Sequence, residues 1–332
     1  MTLNLSVVGR GVAIQVSDRH LSYAQTVRGR ASGLHDVYAN KNVVFAPSYG
    51  LVSFGYTGLA YLERVLADAW IARRLWLDDL GSGAILFRNR REKWPGLGGA
   101  VDILRQELNR VFSSMRERQT LVVVIAGWQW TRRSPRLRGV SWTLSNEDTS
   151  EFTLNRHSRL SAADGTVAIG SHPSFPPHEA RQLRRAITDA RGDVEQVLTS
   201  TVAQRAMHTS TVGPDSMVIR LVPSQPPHVR ARFNQAAPPR AVIRYKDRDN
   251  SLAYAPWVVT KDCLWHPAVI AGGKIATSCG GIDVEVGGSD DANYGGFWPQ
   301  RRTAEHGPLR HVPIQWPPPS GIIAAPPDAG QS

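Results

Sequence analysis

A threonine stands directly after the first methionine, and its position gives it two groups that can act together in nucleophilic catalysis. A threonine hydroxyl is a poor nucleophile until a base removes its proton. Once Met1 is removed, the α-amino group of Thr2 can act as that base, because the ordinary pKa of such an amine is about 7.7–8.0. Methionine before a small residue is normally trimmed, so Thr2 is a candidate nucleophile for the hydrolysis of amides.

Asp18 is the second candidate, since the spacing predicts that it lies opposite Thr2 in a β-hairpin. Two β-rich runs flank a glycine-bearing link at residues 9–11, a composition typical of a hairpin. With this link Val8 pairs with Val12, the numbers of each pair sum to twenty, and Thr2 faces Asp18. Directly opposed residues place their side chains about 5 Å apart on one face of a sheet.

Further residues complete a pattern that resembles a known family. A lysine begins the run into the next hairpin (NKNVV, Lys41), a glycine follows that hairpin (GYTGLA, Gly58), and a glycine-serine turn comes later (AIGS, Ser171). Together with Thr2 and Asp18, this order resembles the proteasome β-subunit family of N-terminal-nucleophile (Ntn) hydrolases and its bacterial ring-protease relatives. The resemblance covers about residues 2–222.

The resemblance implies a role for each of these residues. Thr2 attacks an amide carbonyl, Lys41 tunes the Thr2 amine and stabilises the alkoxide, and Asp18 positions Lys41. Gly58 offers its backbone N–H to the oxyanion, helped by the positive end of the helix that follows it. Ser171 lies near the terminal amine. The implied protein is a threonine-type peptidase or amidohydrolase that needs no cofactor, acts on a peptide or small amide, and assembles into a homo-oligomeric ring.

Three features depart from that family. The segment between Asp18 and Lys41 is longer than usual, the Asp and Ser before the family's last strand are only loosely echoed by Asp215 and Ser216, and we expect no propeptide before Thr2. Activation therefore depends on the removal of Met1. Two alternatives stay open: a non-catalytic scaffold with the same fold, and, less favoured, a basic protein associated with nucleic acid.

The periodicity predicts strands, two helices, strands, two helices and a final strand. The helices are expected at about Gly58 to Leu77, Val101 to Met115, Pro177 to Ala190 and Asp193 to Met207, the last capped by Asp193. Antiparallel hairpins interrupted by helix pairs favour stacked sheets with helices outside. The expected fold is α+β, a four-layer α/β/β/α sandwich with a β-rich C-terminal appendage.

Proline and glycine become frequent in the last third, which predicts a change of organisation there. We expect an Ntn hydrolase domain over residues 1–223, a Pro/Gly-rich β-rich appendage over residues 224–315, and a flexible tail over residues 316–332.

The formal net charge of +11 comes from 39 Lys and Arg against 28 Asp and Glu, partly in the clusters Arg88 to Lys93 and Arg132 to Arg138. We expect both clusters to be solvated loop charge, because no nucleic-acid-binding motif accompanies them. No apolar run is long enough to cross a bilayer, and no signal peptide is recognised, so a cytoplasmic protein is expected.

The two cysteines, Cys263 and Cys279, provide only one loose pair of metal ligands. Structural zinc normally takes four ligands in short paired spacings, so no metal site is expected.

Overall fold

The computed structural model describes residues 3–9, 11–22, 34–36, 40–76, 94–131, 134–157, 166–171, 177–189, 193–209, 212–213, 215–224, 226–234, 252–254, 256–266, 268–270 and 274–288. Thr2, the cluster Arg88 to Lys93 and the predicted tail 316–332 lie outside these described residues.

Twenty strands and four helices form within the described residues. The helices are α1 (Ala67–Leu75), α2 (Leu97–Ser113), α3 (Pro177–Asp189) and α4 (Val194–His208). The strands, in chain order, are β1 (Leu3–Val8), β2 (Ala13–Asp18), β3 (Leu21–Ser22), β4 (Leu34–Asp36), β5 (Asn42–Phe45), β6 (Gly50–Gly58), β7 (Tyr61–Leu62), β8 (Val65–Leu66), β9 (Leu121–Thr131), β10 (Ser134–Ser145), β11 (Thr153–Arg156), β12 (Thr166–Ser171), β13 (Ser216–Val222), β14 (His228–Asn234), β15 (Leu252–Tyr254), β16 (Trp257–Val259), β17 (Leu264–Trp265), β18 (Ala268–Ile270), β19 (Lys274–Cys279) and β20 (Ile282–Gly288).

Two seven-stranded sheets dominate this part of the chain. The first sheet has the strand order β12-β1-β2-β13-β14-β20-β19, and the second has the order β11-β10-β9-β6-β5-β16-β17. Most neighbours are antiparallel, but β14 pairs with β20, and β16 with β5, in parallel. The protein is therefore a strand-rich α and β protein with open sheets, in agreement with the coarse fold class expected from the sequence.

Three large apolar clusters account for most of the packing of these elements. One lies between the two sheets and includes Val8 and Ala13 of the first and Val44 and Leu51 of the second. A second packs α1 and α2 against the second sheet, and a third packs α3 and α4 against the first. Every residue of β1 and β2 is consequently buried, since both faces of these strands are covered.

The register of the first hairpin differs from the prediction by one residue. Val8 pairs with Ala13, not with Val12, so the numbers of each pair sum to twenty-one. The Gly9 amide donates to the Val12 carbonyl at 2.9 Å, a contact that continues the observed register one position beyond the two strands. The predicted pairing of Val8 with Val12, from which Thr2 was expected opposite Asp18, is therefore wrong, and the Leu3 amide donates a hydrogen bond to the Asp18 carboxylate.

The predicted helix at Gly58 to Leu77 is also wrong over its first half. Gly58 ends β6, the chain then makes the small hairpin β7–β8, and α1 begins only at Ala67. The turn of this hairpin is formed by Glu63 and Arg64, whose φ angles of 49° and 66° are incompatible with a helix. The helix predicted from Asp193 is confirmed, since the Asp193 carboxylate accepts a hydrogen bond from the Gln196 amide at 3.3 Å.

Strands that follow residue 224 extend both sheets. β14, β20 and β19 continue the first sheet beyond β13, and β16 and β17 continue the second beyond β5. The division of the chain into residues 1–223, 224–315 and 316–332 stays a prediction. Among the described residues, no helix is long and apolar enough to cross a membrane.

Candidate active site

A buried ion pair links the two sheets at the end of β2. The Lys41 Nζ lies 3.0 Å from Asp18 Oδ2, and both side chains have 0% exposure. Asp18 is the last residue of β2 in the first sheet, whereas Lys41 directly precedes β5 in the second. Taking two charges out of water costs several kcal/mol per ion, so such a pair persists only where further hydrogen bonds support it.

The Asp18 carboxylate receives that support from backbone amides. Oδ1 accepts a hydrogen bond from the Leu3 amide at 2.7 Å. Oδ2 accepts bonds from the amides of His20 at 3.0 Å and Gly213 at 3.2 Å, in addition to the Lys41 ammonium. Lys41 donates a second bond, to the His20 carbonyl, at 2.6 Å. This network ties the start of β1 to the lysine that enters β5.

His20 brings an imidazole to the same place, although no sequence pattern indicated it. Burial lowers the pKa of His20 below its usual 6.5; the Asp18 charge opposes this shift, and the Lys41 charge adds to it. The ring is therefore neutral near pH 7, which avoids a second positive charge beside Lys41. A side chain at Gly213 would collide with the base of the His20 side chain, since a Cβ there would lie 2.7 Å from His20 Cβ.

Polar side chains fill the space between the sheets next to this pair. Gln15 Nε2 donates to Asn4 Oδ1 at 3.0 Å and to the Val124 carbonyl at 3.1 Å, and Asn42 Nδ2 donates to the Ser17 hydroxyl. All four side chains are at most 2% exposed. The interface between the sheets is therefore polar at the Lys41 end, whereas it is apolar at the Val8 end.

Polar residues at every second position of β1 could already be seen in the sequence. Asn4 and Ser6 alternate with Leu3, Leu5 and Val7, but alternation alone predicts that such residues face solvent. Only the second sheet, packed on that face, buries them.

The other residues predicted for the site are Thr2, Ser171 and Gly58. Thr2 lies outside the described residues. Ser171 ends β12 and is paired in the register with Leu3, while its side chain is outside the described part of the structure. Gly58 pairs with Leu121 at the end of β6, so the helix dipole predicted to assist its N–H is absent there. Ser216 lies opposite Asp18 in the register of β13 and β2.

Gly58 has a structural requirement that is independent of any catalytic role. Its φ of +104° is in the region that favours glycine, and a Cβ there would overlap the Thr120 carbonyl oxygen.

We expect Gly58→Ala to lower the free energy of unfolding by about 2–3 kcal/mol, from backbone strain and steric overlap. Urea denaturation measures this change. Gly98→Ala is the control, because nothing lies within 4 Å of a Cβ at Gly98, and equal stability of the two variants would contradict the prediction.

A second buried carboxyl, Asp68 in the first turn of α1, lies on the other side of the Lys41 segment. Its Oδ2 accepts a hydrogen bond from Asn40 Nδ2 at 3.0 Å. Burial raises the pKa of Asp68 to about 7. No local pattern indicated this, because an acidic residue in a first helical turn usually serves the helix dipole at the surface.

The other candidate groups do not converge on a site within the described residues. No group of three or more His, Cys, Asp or Glu side chains that could hold a metal ion occurs there. Cys263 is half-buried and carries a thiol, and the Cys279 side chain is outside the described part. Of the second arginine cluster, Arg138 lies exposed in β10, a strand where a loop was expected.

No family model matches the chain, and no curated protein matches it. Among solved structures, the chain is similar to the structure described as "Helical Assembly of the Anbu Complex from Pseudomonas aeruginosa", with a TM-score of 0.38 and 10% sequence identity. That match covers 66% of this chain and 81% of the other.

These comparisons correct the family assignment that was made from Thr2, Asp18, Lys41 and Gly58. The chain is not identified as a member of the proteasome β-subunit family, because neither a family model nor a curated protein of that family matches it. Any function must therefore follow from the side chains themselves.

Proposed function

We propose that the protein is a threonine-nucleophile amide or peptide hydrolase, activated by the removal of Met1. The observation that carries this proposal is the buried Asp18–Lys41 pair, to which the start of β1 is hydrogen-bonded. We propose with it that the two sheets and their outer helices form a four-layer α/β/β/α sandwich, in which this pair lies between the middle layers.

The covalent bond between Thr2 and Leu3 supports the proposal. The Leu3 amide nitrogen is 2.7 Å from Asp18 Oδ1, and the carbonyl carbon of Thr2 is bonded to that nitrogen at about 1.33 Å. The Thr2 backbone is thus within one peptide unit of Asp18, and Asp18 holds the Lys41 ammonium at 3.0 Å. The proposal requires that the hydroxyl and the amine of residue 2 reach this fixed positive charge.

A buried ammonium suits the proposed chemistry. As the Thr2 hydroxyl oxygen bonds to the substrate carbonyl carbon, its proton passes to the Thr2 amine, and the nearby Lys41 charge stabilises the oxygen that is losing the proton. Collapse of the tetrahedral intermediate breaks the C–N bond, and the departing amine takes up the proton. Water then hydrolyses the ester by the same route in reverse, which returns the Thr2 hydroxyl.

The surrounding residues support that arrangement in distinct ways. Asp18 holds Lys41 in place, and a neutral His20 leaves Lys41 as the positive side chain of this group. Gly58 stays our candidate for the backbone N–H that binds the oxyanion, and Ser171, next to β1 in the sheet, our candidate near the amine. A peptide or small amide is the expected substrate, and homo-oligomeric assembly stays a prediction.

Intact-mass spectrometry of the full-length protein before and after exposure to a peptide epoxyketone tests the proposal. This reagent carries two electrophilic carbons and reacts with the hydroxyl and the free amine of a terminal threonine. We expect loss of the Met1 mass, one covalent adduct per chain, and assignment of that adduct to Thr2.

The matched variants are Thr2→Ser and Thr2→Ala, because both keep a small second residue that allows Met1 to be removed. Thr2→Ser should form the adduct, and Thr2→Ala should not. Retention of Met1 would rule out the threonine mechanism, and a free but unmodified Thr2 would instead favour the non-catalytic scaffold.

A further inference from the structure

Asp68 is a buried carboxyl that the proposed mechanism does not use. It lies in the first turn of α1 and is only 3% exposed. Carboxylates are seldom fully buried unless they are paired, yet among the described residues no ion pair involves Asp68. The side chain is directed inward to a polar segment of backbone beside β5.

Asn40 connects this carboxyl to the backbone on both sides of Lys41. Its Nδ2 donates to Asp68 Oδ2 and also to the Asn42 carbonyl, each at 3.0 Å. Its Oδ1 accepts a bond from the Asn42 amide at 3.2 Å. The amide group of Asn40 therefore spans Lys41 and holds both backbone groups of Asn42. We call these three hydrogen bonds the Asn40 clamp.

The second side of the carboxyl faces a strand that belongs to the last third of the chain. Trp257 of β16 is paired in the register with Val43 of β5. Its indole lowers the pKa of the Asp68 carboxyl and so opposes the larger effect of burial. Asp68 Oδ1 accepts no direct hydrogen bond among the described residues. The charged form of the carboxyl is thus favoured by uncharged groups, the Ala69 backbone first and Asn40 next, and no cation pairs with it among the described residues.

The charged groups on the elements that pack against α1 are engaged elsewhere. Lys41, before β5, is held by Asp18 and the His20 carbonyl. On α2, Glu107 and Arg110 pair with Arg74 and Glu63 on the outer side of α1. β16 itself carries no charged residue, and His266 stacks on the Trp257 ring with 4.2 Å between ring centroids.

We propose that Asp68 is a positioning residue for Lys41, which it controls through the Asn40 clamp: the ionised carboxylate tightens the clamp and the protonated carboxyl loosens it. A hydrogen bond to an ionised acceptor is roughly twice as strong as one to a neutral acceptor. Because burial raises the pKa of Asp68 to about 7, the change falls near neutral pH. The effect of Asp68 on the chemistry of Thr2 rests on the function proposed above. The effect of Asp68 on the Asn40 clamp does not depend on that function.

Hydrogen exchange of the Asn42 amide in the full-length protein tests the clamp directly. After correction for the intrinsic pH dependence of exchange, we expect wild-type protection to rise about fivefold between pH 6 and pH 8, which corresponds to the stronger charge-assisted bond. The midpoint should coincide with the titration of the Asp68 carboxyl carbon, followed by NMR in the same wild-type sample.

Asp68→Asn and Asp102→Asn are the matched variants. Asparagine at position 68 keeps an acceptor of the same shape without the charge, so the rise in protection should disappear. Asp102 is exposed on α2, so its variant should keep the rise. A purely structural role for Asp68 would change protection equally at every pH. Wild-type protection that does not change with pH, or the same rise in Asp68→Asn, would overturn the proposal.

The rate of epoxyketone modification at Thr2 separates this inference from the proposed function. If wild-type protein is modified, Asp68→Asn should slow modification about fivefold at pH 8 and leave it unchanged at pH 6. If wild-type protein is not modified at any pH, the proposed function fails, and the Asn42 exchange still decides whether the clamp exists. If the pH profile of modification in Asp68→Asn is the same as in wild type, the clamp does not position Lys41.

Discussion

Replacement of Lys41 by methionine is expected to lower the free energy of unfolding by about 3–5 kcal/mol and to abolish modification of Thr2 by an epoxyketone. Methionine fills nearly the same volume but carries no charge. The variant therefore leaves the Asp18 carboxylate at 0% exposure without its cation, supported only by backbone amides. Urea denaturation at pH 7 gives the stability, and intact-mass spectrometry gives the modification.

The double variant Lys41→Met with Asp18→Asn separates folding from chemistry. Since no unpaired charge is then buried, we expect at least about 2 kcal/mol of the lost stability to return, while modification of Thr2 stays absent. Lys261→Met is the surface control, because Lys261 is exposed and should change stability by less than about 0.5 kcal/mol. A Lys41→Met protein as stable as wild type would show that the pair is not buried as described.

The second large effect is expected at Gly55, where the two sheets approach each other closely. A Cβ at this position would overlap Asn4 Nδ2 and lie 2.6 Å from Gln15 Nε2. Gly55→Ala must therefore displace two buried amides from their hydrogen bonds. Overpacking costs about 1–3 kcal/mol, and a buried polar group left without a partner costs about 1–3 kcal/mol more, so we expect a total loss of about 3–5 kcal/mol.

Thermal or urea unfolding of Gly55→Ala measures this loss, and Gly98→Ala is its control. Gly98 lies in α2, and a Cβ at this position would have no atom within 4 Å, so alanine there should be neutral or stabilise by up to about 1 kcal/mol. Asn4→Ala in the Gly55→Ala background should restore part of the stability, because it removes the side chain that the new methyl group displaces. If Gly55→Ala unfolds like wild type, the polar contact between the sheets is looser than described.

Local patterns predicted several elements well. Alternating apolar residues predicted β1 and β2, and Asp193 predicted the start of α4. The same reasoning failed for residues 58–66, whose apolar spacing fits a helix but which form the end of β6 and the hairpin β7–β8. Short apolar runs are compatible with the period of a helix and with that of a strand. Here β6 pairs with β9 along its whole length, which keeps the chain extended as far as Gly58.

The hairpin register could not be deduced from residue types either. The residue types at positions 9–12 do not reveal that the Gly9 amide bonds to the Val12 carbonyl, a contact of the observed register and not of the predicted one. A shift of one residue moves every side chain of a strand relative to its partner. The predicted pairing of Val8 with Val12 was therefore wrong by one residue, although the start of β1 still reaches the Asp18 carboxylate through the Leu3 amide.

The sequence by itself determined which groups are available: a threonine at position 2, a carboxyl at Asp18 and an amine at Lys41, each next to a predicted strand. Only the tertiary structure decided that Lys41, 23 positions along the chain from Asp18, crosses from the second sheet to pair with it at 3.0 Å. The tertiary structure also decided that Asp68 is buried and titrates near neutrality. The physical reason is that the energy of a charge depends on its removal from water, which results from the packing of distant segments and not from the local order of residues.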